Sequence, residues 1–456
     1  MASALRRRDT DMTHGSIPGL LIRFAIPLVI GNLFQQLYNT VDSIIVGNFV
    51  SKQALAAVGC TGPIINMLIG VFMGFSSGAG VVISQFYGAK DEEKLQQSVQ
   101  TSICLTLILC VVLTVIGVLA TPAMLHLMDT PEDVFVEAVQ YLRIYFGGMT
   151  GLLLYNIGAG ILRAVGDSTR PLYFLIFSTM MNTVLDIVFV GVLGMGIAGA
   201  AIATVIAQCA SALLVLLLLS RAKAAYRVDL RRLRITRNIL RKIAGIGVPA
   251  ALQMGITAFS NVFVQSYINR FESSCMAGWA AYNKIDAFAM LPMMSLSLSI
   301  TTFVGQNLGA GNLERARTAP KLGLRMGLVI MAALLTPLMI FAPQLVQLFN
   351  ADPEVIRFGT WFIRAISPFY LTFAANQVYM GTLRGAGSTK ATMYIALSSF
   401  VVFRQIYLFI AYRLGGGLTA ITFGYPAGWI LCTVLLQVYY HSRHNAMLFP
   451  EKAAAA

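Results

Sequence analysis

Charged side chains are scarce in this sequence. Asp, Glu, Lys and Arg together make up 11% of its 456 residues, whereas hydrophobic residues make up 57%. A soluble domain carries about 25% charged residues, so this composition excludes an ordinary soluble enzyme. A membrane-spanning helix needs about 20 apolar residues, and the chain has material for about a dozen such helices. The composition therefore predicts an integral membrane protein.

Residues that build metal sites and disulfide frameworks are also few. The chain has four His and six Cys, with no Cys-x-x-Cys and no His-Glu-x-x-His, so we expect neither a disulfide framework nor a metal site beyond a possible Na⁺. No Gly-Lys dipeptide occurs, which excludes a Walker A site. The Gly-x-Gly-x-x-Gly pattern at 194–199 joins two apolar runs instead of following a strand, so we expect no nucleotide cofactor. We find no nucleophile–base constellation and expect no enzyme activity.

The apolar runs predict an all-α protein with twelve transmembrane helices. Their approximate limits are 18–48, 53–86, 96–121, 132–162, 171–191, 196–220, 243–269, 275–306, 320–349, 354–383, 391–412 and 418–441. Of the 33 Lys and Arg residues, 25 fall in tails and loops on one side of these spans and four in loops on the other. This bias predicts a multi-pass protein with both termini in the cytoplasm. The basic residues behind the net charge of +14 then lie mainly on the cytoplasmic face, which meets anionic lipid. We therefore expect no nucleic-acid partner.

The two halves of the chain repeat. The matching elements lie nearly the same number of positions apart in every case: Pro27 with Pro249, Asn39 with Asn261, 84–89 with 305–310, 162–166 with 383–387, and Arg143 with Arg364. Six spans in each half predict parallel repeats, and hence two six-helix bundles with a substrate cavity at the membrane midplane. The predicted domains are an N-terminal tail (1–14), an N-lobe (15–220), an inter-lobe linker (221–242), a C-lobe (243–441) and a C-terminal tail (442–456). The basic linker is either an amphipathic helix on the inner leaflet or an ordinary cytoplasmic loop.

Acidic residues inside predicted spans are costly, and each is a candidate functional residue. Only Asp42, Asp186 and Asp286 clearly qualify. In the first half, helical spacing aligns polar residues into three stripes, which should face one another because lipid does not solvate them. The stripes are Gln35, Tyr38, Asn39 and Asp42 on the first helix, Ser178, Asn182 and Asp186 on the fifth, and Thr204 and Gln208 on the sixth.

These stripes have two chemical interpretations besides plain interhelical hydrogen bonding. Carboxylate, amide and hydroxyl oxygens suit a small hard cation such as Na⁺. Desolvated neighbouring carboxylates also suit the binding of a proton. Pro27 removes one backbone hydrogen bond on the same predicted helix as Asp42, so it is either a hinge coupled to the site or a static kink.

The second half lacks this acidic pattern. Val264 occupies the position that corresponds to Asp42. We expect Asp286 either to pair across helices with Arg404 or to contact substrate. The candidate substrate-cavity residues are Gln253, Thr257, Asn261, Lys284, Asp286, Met290 and Arg404.

Three segments carry a resemblance to a known family. PLVIGNLFQQLYNTVDSIIVG, SQFYGAKD and LRAVGDSTRP resemble the multidrug and toxic compound extrusion (MATE) family, and the similarity covers about residues 15–445. The resemblance implies a V-shaped pair of lobes and a first-lobe cation site at Asp42, Asn182, Asp186 and Thr204. It also implies a bacterial cytoplasmic-membrane antiporter that exports amphipathic organic compounds, antibiotics among them, driven by Na⁺ or H⁺ entry.

The second half departs from one branch of that family, because its seventh helix has no acid while Lys284 and Arg404 add positive charge. A flippase for a polar or lipid-linked substrate is therefore the alternative function. We expect small molecules and the lipid bilayer as the partners of a monomeric protein.

Overall fold

The chain folds into helices that form two compact units. The computed structural model describes residues 11–50, 52–128, 130–229 and 233–442, without the side chains of 39, 41–44, 47–49, 52, 53, 55, 63, 66 and 67. Unit 1 comprises Met1–Asp11 and Pro27–Val248, and unit 2 comprises Met12–Ile26 and Pro249–Ala456. Throughout these described ranges every regular element is helical, which agrees with the predicted all-α class.

The first half of the chain contains seven α-helices and one π-helix. They are α1 (Ile17–Phe49), α2 (Lys52–Gly88), α3 (Glu92–Leu127), α4 (Glu132–Gly147), α5 (Met149–Ala164), α6 (Thr169–Asp186), a π-helix (Ile187–Val192) and α7 (Gly196–Ser220). The turn residues set the starts of these helices. Asp91, for example, accepts a hydrogen bond from the backbone N–H of Lys94 at the start of α3.

The second half repeats this order with more breaks. Its elements are α8 (Arg237–Ile268), α9 (Ser273–Gly309), α10 (Leu313–Ile340), α11 (Ala342–Gln347), α12 (Pro353–Ile366), a 3₁₀ turn (Ser367–Phe369), α13 (Tyr370–Gly385), α14 (Thr389–Leu397), a π-helix (Ser398–Phe403), α15 (Arg404–Arg413), α16 (Leu418–Thr422) and α17 (Gly424–His441).

The helices account for the predicted spans. Ten of them in the described chain are long and apolar enough to cross a membrane, and α4 with α5, bent by 48° at their junction, adds an eleventh. The remaining prediction, 354–383, coincides with α12 and α13. That segment is more polar because it carries Glu354, Arg357 and Arg364. The helical bundle with two repeats confirms the predicted fold class.

Backbone conformation confirms the repeat independently of residue identity. Left-handed backbone occurs at three pairs of turn positions that share one spacing along the chain: Lys90 and Gly311, Gly166 and Gly387, and Gly194 and Gly415. Glycine dominates these positions because a Cβ atom disfavours positive φ. The break between α4 and α5 also recurs at the same spacing, where α13 begins.

The opening segment of each half packs within the unit built from the other half. In unit 2, Ser299 Oγ donates to the carbonyl of Leu21 at 3.0 Å, and the N–H of Met12 donates to Gln306 Oε1 at 3.0 Å. In unit 1, Gly78 lies so close to Gly247 that an added Cβ would be 2.6 Å from its backbone nitrogen. The compact units therefore divide the chain at Pro27 and Pro249, whereas the predicted lobes divide it at the linker.

The basic linker is non-helical over its described residues before 237, whereas its last six residues, 237–242, form the start of α8. Residues 221–229 and 233–236 are non-helical, and α8 begins at Arg237. Tyr226 and Val228 are buried in the core of unit 1, and the N–H of Thr236 donates to Thr101 Oγ1 at 3.1 Å. Burial and hydrogen bonding therefore hold this part of the linker. Its apolar residues Tyr226 and Val228 pack in the protein core.

Candidate functional site

A small cavity with polar and apolar lining lies within unit 1, between α1, α2, α5, α6 and α7. Its volume is about 150 Å³. Pockets for drug-sized ligands span about 300–1,000 Å³, so this cavity is smaller than such a pocket. Seven predicted residues line it: Pro27, Gln35, Tyr38, Ser178, Asn182, Thr204 and Gln208.

Thr204 is the hydrogen-bonding centre of this cavity. Its Oγ1 forms a hydrogen bond of 3.0 Å with Tyr38 Oη and accepts one of 3.4 Å from Asn182 Nδ2. About one turn away on each helix, Ser178 Oγ donates to the carbonyl of Ala207 at 2.9 Å. Three helices are thereby joined by polar contacts, as the three stripes predicted.

Asp186 completes the stripe on α6. It follows Asn182 by four residues and so lies on the same helix face, and its side chain is fully buried. It is the last residue of α6 before the π-helix Ile187–Val192, and π-helical turns occur frequently at functional sites.

The other predicted first-lobe acid, Asp42, lies in α1. Its side chain and that of Asn39 lie outside the described residues.

The cavity lining also includes polar residues that sequence reasoning did not select: Asn32, Tyr155, Asn156, Arg163, Ser168, Thr179 and Ser211. Asn32 precedes Gln35 by three residues, and this spacing could have extended the predicted stripe by one turn. Arg163 lies in the last turn of α5, beside the turn that leads into α6, whereas Asn182 lies near the other end of α6. The positive charge of Arg163 therefore lies at the end of the cavity that is remote from Asn182.

The candidate residues of unit 2 separate into smaller groups. Gln253 Oε1 and Thr257 Oγ1 on α8 are buried, with no hydrogen-bond partner in the described part of the chain. Met290 is buried in the core of its unit. Lys284 is exposed, with Nζ 5.6 Å from the ring centroid of Phe349.

Asp286 and Arg404 do not form the expected ion pair. Asp286 accepts hydrogen bonds from the hydroxyls of Tyr282 and Tyr370. Arg404 donates from Nη2 to Ser260 Oγ at 2.9 Å and to Asn261 Oδ1 at 2.8 Å. Each charged group therefore contacts neutral partners in place of the other.

Comparison with known families identifies this architecture. The MatE family model matches residues 27–188 and, a second time, residues 249–410, one match in each repeat. The chain belongs to the MatE family. MatE proteins are ion-coupled membrane transporters and not enzymes, so this protein is a multi-pass transporter of small molecules.

Relatives of this MatE chain match it along nearly its whole length. The probable multidrug resistance protein YoeA of Bacillus subtilis is 30% identical over 91% of this chain and 92% of its own. The probable multidrug resistance protein YpnP of the same organism is 29% identical over 97% of this chain and 99% of its own. The solved structure of a MOP superfamily transporter from Pyrococcus furiosus shares the fold with a TM-score of 0.90, at 24% identity over 97% of this chain and 99% of that one.

Proposed function

We propose that this MatE protein is a secondary antiporter that exports amphipathic organic compounds in exchange for Na⁺ or H⁺. It acts in the bacterial cytoplasmic membrane with both termini in the cytoplasm, as the distribution of basic residues predicts. Two relatives named for multidrug resistance support the class of substrate. The observation that carries the coupling site is the Thr204 hydroxyl, bonded to Tyr38 and Asn182 at the cavity wall, with Asn182 one helical turn from buried Asp186.

The ligands of this proposed site are hard oxygens from Asp42, Asn182, Asp186 and Thr204, which suit Na⁺. A buried carboxylate is costly while charged and unpaired with a cation. Binding of Na⁺ or H⁺ removes that cost and therefore favours the conformation in which the site is closed. Coupling requires that substrate and ion favour different conformations, because a ligand with equal affinity for both shifts nothing.

The proposed site reaches Pro27, which also lines the cavity. Proline cannot donate a backbone hydrogen bond to the residue four positions earlier, so α1 bends there at a lower cost than elsewhere. We assign Pro27 as the hinge through which occupancy of the site changes the direction of the first helical segment.

A flippase for phosphate-bearing substrates is less well supported. That alternative depends on free positive charge in the second half. Of the two residues that favoured it, Arg404 is 3% exposed and directed at Ser260 and Asn261 within its own unit, whereas Lys284 is exposed.

The test is efflux of a fluorescent amphipathic cation from proteoliposomes, with pH and Na⁺ gradients imposed separately. We expect one inwardly directed ion gradient to accelerate efflux, and the effective gradient identifies the coupling ion. Efflux that ignores both gradients would contradict an antiporter. Efflux of a phosphate-bearing lipid under the same conditions, without that of the cation, would favour the flippase.

Replacing Thr204 by Val should weaken ion binding. The substitution keeps the side-chain shape but removes one oxygen ligand and the partner of Tyr38 and Asn182. A loss of about 1–2 kcal/mol should raise the ion concentration for half-maximal efflux about 5- to 30-fold. The measurement is efflux rate against ion concentration. Thr204→Ser, which keeps the hydroxyl, is the control and should remain close to wild type. Equal behaviour of the Val and Ser variants would exclude the hydroxyl as a ligand.

A further inference from the structure

Unit 2 contains a repeat-related copy of the Thr204 cluster. The spacing that relates Pro27 to Pro249 takes Tyr38 and Asn39 on α1 to Ser260 and Asn261 on α8. The spacing that relates the left-handed turns Gly194 and Gly415 takes Thr204 on α7 to Tyr425 on α17. Two of the three sides of the cluster are thereby matched between the units.

The third side is α6, which corresponds to α14 and α15. The left-handed glycines Gly166 and Gly387 precede these spans, and Gly194 and Gly415 follow them at equal spacing. Each span contains one π-helix, which accommodates an extra residue in the helical register. The π-helix lies at Ile187–Val192 in the first half but earlier, at Ser398–Phe403, in the second.

Because the π-helix comes earlier in the second half, corresponding residues that follow it are one position further apart in the chain. This longer spacing ends where the first half reaches its own π-helix. Up to the first residues of the second π-helix the spacing of the glycine turns applies, and Ser178 corresponds to Ser399. The contacts agree, because Ser178 bonds to Ala207, and Ser399 lies against Gly428, the counterpart of Ala207 at that same spacing. Beyond Phe403 the spacing is longer by one position. Asn182 then corresponds to Arg404, and Asp186 corresponds to Leu408.

The contacts of Arg404 agree with this assignment. In unit 1, Thr204 joins Tyr38 and Asn182. In unit 2, Arg404 donates to Ser260 and Asn261, and its Cζ lies 4.9 Å from the centroid of the Tyr425 ring. Arg404 thus contacts the counterparts of Tyr38, Asn39 and Thr204.

The acids of unit 1 have no counterpart in this cluster. The positions that correspond to Asp42 and Asp186 hold Val264 and Leu408, which are 1% and 0% exposed. Arg404 has no ion pair among the described residues. Its guanidinium is met by an amide oxygen, a hydroxyl and the negative face of an aromatic ring, which are the neutral partners available to a buried cation.

We infer that the guanidinium of Arg404 is a built-in cation that occupies, in unit 2, the place of the coupling-ion site of unit 1. This inference rests on the proposed function. A second cation at about 4 Å from the guanidinium would bind about a thousandfold more weakly, taking an effective dielectric constant of about 20. The coupling ion therefore binds in unit 1 alone, and the second repeat keeps a permanent positive charge where the first gains and loses one.

The decisive experiment restores the pattern of unit 1 in unit 2. Arg404→Asn with Leu408→Asp recreates the Asn182–Asp186 pair, and Asp186→Asn in the same chain removes the native site. The readout is the rise in unfolding temperature of the purified full-length protein on titration with NaCl, or with acid if H⁺ is the coupling ion. We expect a saturable rise for wild type, none for Asp186→Asn, and its return in the triple variant.

The outcomes separate this inference from the proposed function. A folded triple variant without an ion response, beside an unresponsive Asp186→Asn protein, overturns the built-in cation and leaves the unit 1 site standing. A full ion response in the single variant Asp186→Asn refutes the unit 1 site. If Arg404→Lys, added to that variant, then lowers the response, unit 2 binds ions despite the guanidinium, and the inference fails as well.

A second measurement covers the case in which the triple variant does not fold. Arg404→Ala should lower the unfolding temperature, and millimolar methylguanidinium should restore it, whereas methylurea, which has a similar shape and no charge, should not. Arg413→Ala is the matched control, because Arg413 lies at the end of the same helix, exposed, over Phe409. We expect no effect of methylguanidinium on it. Equal responses to methylurea and methylguanidinium would show that the site needs shape and not charge, and would overturn the inference.

Discussion

Replacing Asp186 by Asn is expected to abolish ion-driven efflux while leaving a folded protein in the membrane. The amide keeps the size of the side chain and removes its charge. At this fully buried position the neutral amide gains no electrostatic free energy when the ion binds. The ion-bound and empty states are then no longer separated by that free energy. Coupling free energies of this kind correspond to about 5- to 150-fold, so the gradient-driven rate should fall at least tenfold. Proteoliposome efflux under the effective ion gradient measures the loss, and size-exclusion chromatography checks the fold.

Two further variants locate this effect. Asp42→Asn should behave like Asp186→Asn if both acids serve one site. Asp286→Asn is the matched control, because Asp286 is an intramembrane acid of unit 2 whose carboxylate is satisfied by Tyr282 and Tyr370. The Asp286 variant should retain its response to the ion gradient. Undiminished gradient-driven efflux in the Asp186 variant would remove the proposed site.

Replacing Gly78 by Ala should strongly destabilise unit 1. A Cβ atom at Gly78 would lie 2.6 Å and 2.7 Å from the backbone N and Cα of Gly247, and 2.7 Å from the carbonyl oxygen of Ile243. These are backbone atoms, so relief requires α2 and the first part of α8 to separate instead of a side chain to rotate. Overpacking of a close contact costs about 1–3 kcal/mol, with the higher end expected here. The measurement is the unfolding temperature in detergent, together with the yield of monodisperse protein.

Gly80→Ala is the matched control for this substitution. Gly80 is two residues away on the same helix, and a Cβ there meets no atom within 4 Å. The substitution should be neutral or stabilise the helix by up to about 1 kcal/mol. If the two variants unfold at the same temperature, the close approach of α2 to α8 does not stabilise the protein.

Particular residues show how far the sequence leads at the candidate site. Tyr38, Asn182 and Thr204 could be predicted as neighbours because lipid excludes polar side chains, so stripes on separate helices must meet. The hydrogen bonds between them follow that expectation. Arg163 could not be assigned in the same way, because lining a cavity depends on how far neighbouring helices lie apart at each level.

The partners of Asp286 and Arg404 show the opposite case. Opposite charges in one half of a membrane protein favour pairing, and sequence alone offers no competing partner. The structure supplies two tyrosine hydroxyls for Asp286 and a serine, an asparagine and an aromatic ring for Arg404. Neutral groups on several helices can satisfy a buried charge, and their convergence depends on packing.

The amino-acid sequence by itself determined the membrane class, the repeat and the polar stripes of the first half. Each of these follows from periodicity and from the cost of placing polar groups in lipid, which act locally along the chain. Tertiary structure alone decided that residues 12–26 and 237–248 pack in the opposite units. It also decided that a π-helix places Arg404 at the position equivalent to Asn182. Both depend on which helix surfaces meet and on the register of backbone hydrogen bonds, and neither is encoded in the spacing of residue types.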